Sequence, residues 1–175
     1  MKTKTIILIA IFLSAVIVII FGVGREETQR VKAVVGLNAP ELILDNPSGK
    51  TYSLYELKGS VVFINFWATW CQPCREEMPS IQSLYNHFKD EKGFRMLTVL
   101  YRDDSQKAIA YMRENNYRFP VAMDSNEKTA RSYGVTGVPE TYIVDKKGIL
   151  REKVIGPADW SSLQAVSLIS NLLKE

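Results

Sequence analysis

The sequence predicts an α/β fold in which helices flank a mixed central β-sheet. The run 61–67 is apolar, rich in β-branched and aromatic residues, and interrupted by a single polar residue, as in strands buried on both faces of a sheet. Apolar residues at three- and four-residue steps follow it, and strand and helix patterns then alternate along the chain. This alternation, closed by a terminal hairpin and helix, indicates an α/β sandwich.

The first half of the predicted domain contains a hairpin, a buried strand and a long helix. A turn cluster at 46–49 separates residues 41–44 from residues 50–54, which predicts an N-terminal β-hairpin. The buried strand 61–67 and an amphipathic helix over 74–91 follow.

The second half alternates strands with shorter helices. The predicted elements, in order, are strand 95–101, helix 106–115, strand 121–123, helix 127–133 and a hairpin of strands 141–144 and 149–155. A closing amphipathic helix is predicted from the spacing of Trp160, Leu163, Val166, Ile169 and Leu173. The stretch from Asn38 to the end of the chain, about 138 residues, is long enough for one domain with one core.

The first 37 residues predict a membrane attachment. The uncharged run from Ile6 to Val23, with its neighbours, is long enough at about 1.5 Å per residue to span a bilayer once. A cleaved signal peptide is the alternative, but the run exceeds the usual signal core of ~7–15 residues. We expect a cytoplasmic tail at 1–5, a transmembrane signal-anchor helix at 6–24, a tether at 25–37 and a domain at 38–175. This arrangement implies a single-pass cell-membrane protein with an extracytoplasmic domain.

The charge balance of the expected domain argues against one class of partner. Without residues 1–24 the chain has 20 basic and 19 acidic residues, so it is close to neutral. Nucleic-acid binding usually needs a basic surface, and we therefore expect no nucleic acid as partner.

The only two cysteines lie three positions apart, in the motif Trp70-Cys71-Gln72-Pro73-Cys74. Cys71 falls where the buried strand gives way to the helix, and a helix N-terminus stabilises a thiolate. Cys74, one turn later, is placed to attack a mixed disulfide on Cys71. A merely stabilising disulfide is less favoured, because so short a loop gains little from closure. A zinc site is disfavoured too, since His87 is the only histidine. We expect no metal and no cofactor besides the redox-active disulfide Cys71–Cys74.

Three segments of the chain resemble the thioredoxin superfamily, and more closely its membrane-anchored TlpA/ResA-like thiol-disulfide oxidoreductases. They are Asn38-Ala39-Pro40 with the hairpin after it, the stretch 66–79 (FWATWCQPCREEMP) and the stretch 133–141 (YGVTGVPET). The resemblance covers the chain from about Asn38 onward. It implies a thioredoxin-like fold, with an N-terminal β-hairpin and a helix–strand unit inserted between Cys74 and Pro139.

The resemblance also implies residues that bind the substrate. In this superfamily the proline that matches Pro139 is cis and lies beside the two cysteines, and the backbone of the residue before it, here Val138, pairs with a bound polypeptide. Trp70 is expected to form an apolar lip against which the substrate packs. Glu140, directly after the proline, is assigned no role.

Glu77 has two interpretations. An acid in the first turns of a helix can simply offset the helix dipole. Alternatively, Glu77 is a general base that deprotonates Cys74. The relatives resembled here have glutamate at this position, and Asn65 replaces the buried aspartate of plain thioredoxin. Burial of Glu77 would raise its pKa toward the working pH of such a base.

The favoured function is disulfide reduction in exported proteins, with Cys71 attacking and Cys74 resolving. The resemblance implies apocytochrome c as one client and a transmembrane thiol-relay protein as electron donor. A disulfide-forming oxidase and a non-catalytic binding module with the same fold are the alternatives. A peroxiredoxin is disfavoured because its cysteine motif needs proline at position 64 and threonine at position 68, where this chain has Ile64 and Ala68.

Overall fold

A computed structural model describes residues 33–45 and 49–175, together with Phe12. The described residues from Ala33 onward form one compact unit. Its strands are β1 (Ile43–Asp45), β2 (Thr51–Ser53), β3 (Val61–Trp67), β4 (Phe94–Leu100), β5 (Val121–Met123), β6 (Glu140–Val144) and β7 (Leu150–Ile155). Its α-helices are α1 (Gln72–Phe88), α2 (Ser105–Glu114), α3 (Lys128–Tyr133) and α4 (Leu163–Lys174), and Tyr55–Leu57 form a short 3-10 helix.

The strands form one mixed sheet in the order β2-β1-β5-β4-β3-β6-β7. Strand β3 lies inside the sheet, parallel to β4 and antiparallel to β6, while β4 is parallel to β5. The hairpin β1–β2 joins the sheet through an antiparallel contact of β1 with β5. The predicted mixed-sheet α/β fold and its N-terminal hairpin are therefore confirmed.

Alternate residues of β3 supply the cores on the two faces of the sheet. Val61, Phe63 and Trp67 contact the cluster that contains the buried residues of α1, α2 and α4. Val62, Ile64 and Phe66 contact the opposite cluster, which contains the buried residues of α3. Because side chains alternate along a strand, one apolar run can fill both layers, and all seven residues of β3 are buried.

The packed domain begins earlier than the sequence predicted. Ala33 is buried in the cluster on the α3 face. The Gly36 N–H donates to the Leu150 carbonyl at 2.8 Å, and the Leu150 N–H donates to the Leu37 carbonyl at 2.9 Å. Residues 33–37, predicted as the end of a tether, therefore belong to the domain that was expected to start at Asn38.

The closing helix starts later than its apolar spacing predicted. Ser162 caps α4 by accepting a hydrogen bond from the Ala165 N–H, so the helix begins at Leu163. Trp160 lies in the preceding loop and is buried, whereas Leu163 is 84% exposed. The spacing was wrong for the first turn because Trp160 packs edge-to-face on Phe63 from the loop rather than from the helix.

The predicted tail at 1–5 and anchor at 6–24 lie outside the described residues, apart from Phe12. Within the part of the chain that the structure describes, no helix combines the length and the apolar character needed to cross a bilayer.

Candidate active site

The two cysteines lie at the junction of β3 and α1. After Trp67 the chain turns, with the Cys71 N–H bonded to the Ala68 carbonyl, and Cys71 becomes the N-cap of α1. Its Sγ accepts a hydrogen bond from the Cys74 N–H at 3.2 Å. Pro73 lies in the first turn, where a helix leaves its N–H groups unpaired in any case. The Cys71 sulfur therefore faces the positive end of the helix.

The pair is present as a disulfide, with the two Sγ atoms 2.07 Å apart and the Cα atoms 5.3 Å apart. Cys71 keeps 5% of its surface exposed and Cys74 none. Of the two cysteines, only Cys71 has any surface in contact with solvent. This asymmetry agrees with the predicted division between an attacking and a resolving cysteine.

The Val138–Pro139 peptide bond is cis, as predicted. The Val138 carbonyl oxygen lies 3.5 Å from Cys71 Sγ, and the Pro139 carbonyl accepts a hydrogen bond from the Gly156 N–H at 2.9 Å. Within the described residues, the N–H and carbonyl of Val138 have no backbone partner. The structure thus places backbone groups that lack a described backbone partner beside the sulfur of Cys71.

Trp70 lies at the rim of the same site and is 59% exposed. Its indole Nε1–H donates to the Arg102 carbonyl at 3.2 Å, which fixes one edge of the ring. Trp67, three residues earlier, is fully buried in the core. The two tryptophans therefore differ: Trp67 packs inside, and Trp70 presents an apolar surface at the rim of the site.

Glu77 lies one turn after Cys74 on the buried face of α1 and is only 3% exposed. Its Oε1 accepts from Asn65 Nδ2 at 2.9 Å, and its Oε2 accepts from the Ala158 N–H at 3.0 Å and from Trp160 Nε1 at 3.2 Å. Burial raises the pKa of Glu77 above its ordinary value, and the three hydrogen bonds, which favour the carboxylate, oppose part of that rise.

A cleft of about 430 Å³ opens beside this carboxyl group. It is lined by Glu76, Glu77, Pro79, Ser80, Pro157 and Asp159, among others. Glu77 is one of the residues that line the cleft, so solvent comes close to this buried acid. Burial and a raised pKa are properties that suit a general base.

Two of the groups that donate hydrogen bonds to Glu77 lie in the loop before α4, and the sequence did not predict them. Ala158 and Trp160 lie 81 and 83 residues away along the chain. Their donors are a backbone N–H, which any residue except proline provides, and an indole that the apolar spacing had assigned to a helix. No local pattern links them to Glu77, so only the folded structure identifies them.

Comparison with known proteins agrees with this geometry. Residues 35–153 match the model of the AhpC/TSA family. The thiol-disulfide oxidoreductase ResA of Bacillus thuringiensis (strain Al Hakam) is 38% identical over 137 residues, or 78% of this chain and 75% of the relative. ResA of Bacillus subtilis (strain 168) is 33% identical over 121 residues, which cover 69% of this chain and 67% of the relative.

Solved structures show the same relationship. The crystal structure of a thiol:disulfide interchange protein of the thioredoxin family from Chlorobium tepidum TLS aligns with a TM-score of 0.65 and 26% identity, covering 75% of this chain and 94% of that one. The chain therefore belongs to the AhpC/TSA family of thioredoxin-fold proteins and, within it, to the ResA-like thiol-disulfide oxidoreductases.

Proposed function

We propose that this protein reduces disulfide bonds in exported proteins, using the Cys71–Cys74 pair as the electron carrier. The observation that carries the proposal is the asymmetry of the pair. Cys71 lies at a helix N-terminus with its Sγ 3.5 Å from the Val138 carbonyl oxygen and keeps 5% of its surface exposed, while Cys74 keeps none. We therefore expect a polypeptide disulfide to react with Cys71 rather than with Cys74.

The reaction begins with the reduced, dithiol form of the protein. The Cys71 thiolate attacks one sulfur of the substrate disulfide, the substrate S–S bond breaks, and the other substrate sulfur leaves as a thiolate that takes a proton from water. Cys74, as a thiolate, then attacks Cys71 Sγ and displaces the second substrate sulfur, which is also protonated. The substrate gains two electrons and two protons, and the protein is left with the Cys71–Cys74 disulfide.

Glu77 acts in the second step as the acceptor of the Cys74 proton. Cys74 and Glu77 are both buried and lie three residues apart on one face of α1. Buried thiols resist ionisation, so an adjacent base is needed to produce the thiolate inside the protein. The raised pKa of Glu77 brings its proton affinity closer to that of the thiol than an ordinary glutamate would.

Location, client and donor follow from the N-terminal sequence and from the resemblance described above. The uncharged run 6–23 would anchor the domain on the extracytoplasmic side of the cell membrane. In that oxidising compartment a reductase needs a supply of electrons, and a transmembrane thiol-relay protein is the donor we propose. Apocytochrome c, whose haem-attachment cysteines must be reduced, is the client class we propose.

The reduction potential of the full-length protein tests the direction of transfer. The protein is equilibrated in dithiothreitol or glutathione buffers, and the redox state is followed by tryptophan fluorescence, to which Trp70 beside the pair contributes. A potential below about −220 mV is expected for an electron donor. A potential above about −180 mV, in the range of disulfide isomerases and oxidants, would contradict the proposal and favour a disulfide-forming oxidase. The Cys71→Ser variant supplies the redox-independent baseline.

A further inference from the structure

A second buried carboxylate lies next to the site, and the exchange chemistry above does not use it. Glu140 directly follows Pro139 at the start of β6 and is 2% exposed. Its Oε2 accepts from the Tyr142 hydroxyl at 2.6 Å and lies 3.5 Å from Lys153 Nζ, while its Oε1 accepts from the Thr136 N–H at 3.1 Å.

These partners belong to two different parts of the protein. Tyr142 and Lys153 are on the sheet strands β6 and β7, whereas Thr136 is in the loop 134–139 that carries Val138. On the other side of Val138, the Pro139 carbonyl is held by the Gly156 N–H. Hydrogen bonds therefore hold the chain both before and after Val138. Glu140 accepts the bond before it, from the Thr136 N–H.

Both oxygens of the buried Glu140 carboxylate accept hydrogen bonds. Burial and the neighbouring Glu140 carboxylate raise the pKa of Tyr142, so its hydroxyl keeps the proton that it donates. A buried ion pair often adds no net stability over a well-packed apolar group, whereas its fixed geometry can specify one arrangement. A gain in stability therefore does not by itself explain a charge at this position, beside the loop whose Val138 carbonyl lies 3.5 Å from Cys71 Sγ.

We propose that Glu140 is a positioning residue for polypeptide substrates. Its carboxylate holds the loop 134–139 so that the Val138 backbone can pair with the substrate chain while Cys71 attacks the disulfide. Glu140 touches neither sulfur, and it acts through Thr136 on Val138. This inference rests on the proposed function, because it presumes that the substrate is a polypeptide.

The test compares two disulfide substrates, only one of which has a peptide backbone that can pair with Val138. Reduced full-length protein is mixed with a cystine-bridged peptide and, separately, with hydroxyethyl disulfide, and both second-order rate constants are measured. In Glu140→Met the acceptor for the Thr136 N–H is lost, so the peptide rate should fall about 10-fold while the small-disulfide rate stays within about 2-fold. Glu140→Gln keeps an oxygen for Thr136 and should restore most of the peptide rate.

Asp145 provides a matched control. It is also buried, directly follows the other end of β6, and pairs with Arg151 instead of facing the loop. Asp145→Leu should leave the ratio of the two rates unchanged. Equal losses on both substrates in Glu140→Met, no loss on either, or the same change of ratio in Asp145→Leu would overturn the inference.

Two further outcomes are distinguishable. If the wild-type protein reduces hydroxyethyl disulfide but not the peptide, the proposed function fails and this inference falls with it.

If Glu140→Met does not fold, amide hydrogen exchange in the wild-type protein tests the inference instead. Thr136 is an exposed residue whose N–H should nevertheless be protected by Glu140. Exchange of that amide at an unprotected rate would overturn the inference, and slow exchange would support it.

Discussion

At the scale of single residues, the contacts of Glu77 show how a buried acid can exist in two protonation states. Both carboxylate oxygens already accept hydrogen bonds, so a protonated Glu77 needs an acceptor for its new O–H. Asn65 Oδ1 is buried and has no partner within the described residues. Rotation of the Asn65 amide would turn this oxygen toward Glu77, while the Thr141 hydroxyl, now an acceptor from Asn65, could become a donor.

Replacing Glu77 by glutamine should slow thiol-disulfide exchange and change its pH dependence. The amide cannot accept the Cys74 proton, so we expect the rate of the resolving step to fall by about 10²-fold. In the wild type this rate should decrease as the pH falls through the raised pKa of Glu77, and in Glu77→Gln that acid limb should disappear. Stopped-flow measurement of mixed-disulfide resolution from pH 4 to pH 9 checks both effects.

Glu76→Gln is the control for this measurement, because Glu76 is exposed on the same helix turn. It removes the same charge and should keep the wild-type profile. Identical pH profiles for wild type and Glu77→Gln would contradict the role of Glu77 as the base that accepts the Cys74 proton.

At the scale of elements, the N-terminus of α1 is free of acidic residues in its first turn. The Cys71 sulfur at the cap is therefore the group on which the helix dipole acts there. In most helices an aspartate or glutamate near the first turn is stabilising. Its absence here leaves the positive end of the helix available to a thiolate.

A negative charge placed in this turn should weaken the nucleophile. In Gln72→Glu the exposed new carboxylate competes for the helix end, so we expect the pKa of the Cys71 thiol to rise and its alkylation at neutral pH to slow by about 2- to 5-fold, at about 0.3–1 kcal/mol for such an effect. The pH dependence of alkylation of Cys71 by iodoacetamide, in the reduced protein, measures this rise.

Asn86→Asp adds the same charge to the exposed surface of α1, 14 residues further along and so about 21 Å away. It should leave the alkylation profile unchanged. A comparable rise in both variants would show that net charge, rather than the helix terminus, controls Cys71.

At the scale of the whole molecule, Glu77 connects three parts of the domain. It lies on α1, and its hydrogen-bond donors come from β3 and from the loop before α4. The proton equilibrium of this one side chain is therefore linked to the stability of the entire fold.

The sign of that linkage can be tested on the oxidised protein, in which no thiol titrates. Folding raises the pKa of Glu77 above its ordinary value of about 4.5, so the native state binds the proton more tightly than the unfolded state. The contribution of Glu77 to the free energy of unfolding should be undiminished below pH 4.5 and should fall as the pH rises through the raised pKa.

The Glu77→Gln variant does not lose stability in this way as the pH rises. Its amide can donate to Asn65 Oδ1 after rotation of the Asn65 side chain. The free energy of unfolding of the variant should therefore rise relative to that of the wild type between pH 4 and pH 8, as measured by urea denaturation. Glu76→Gln should track the wild type. A difference between Glu77→Gln and wild type that does not vary with pH would contradict the linkage.

The sequence by itself determined the features that depend on neighbouring residues. The apolar run of β3 predicted its bounds, and the position of the CxxC motif predicted Cys71 at the start of a helix, because strand burial and helix capping are local properties. The resemblance of the segment around Pro139 correctly implied the cis bond. The closing helix was misplaced by its first turn, since an apolar spacing does not distinguish a helical tryptophan from one that packs from a loop.

Only the tertiary structure decided which distant groups meet. It assigned Ala158 and Trp160 to Glu77, Gly156 to Pro139, and residues 33–37 to the edge of the sheet beside Leu150. It also gave Glu140 its partners in the loop and on the sheet. Hydrogen bonds of this kind use backbone groups that every sequence contains, so their pairing depends on how the strands and loops pack and leaves no mark in the local sequence.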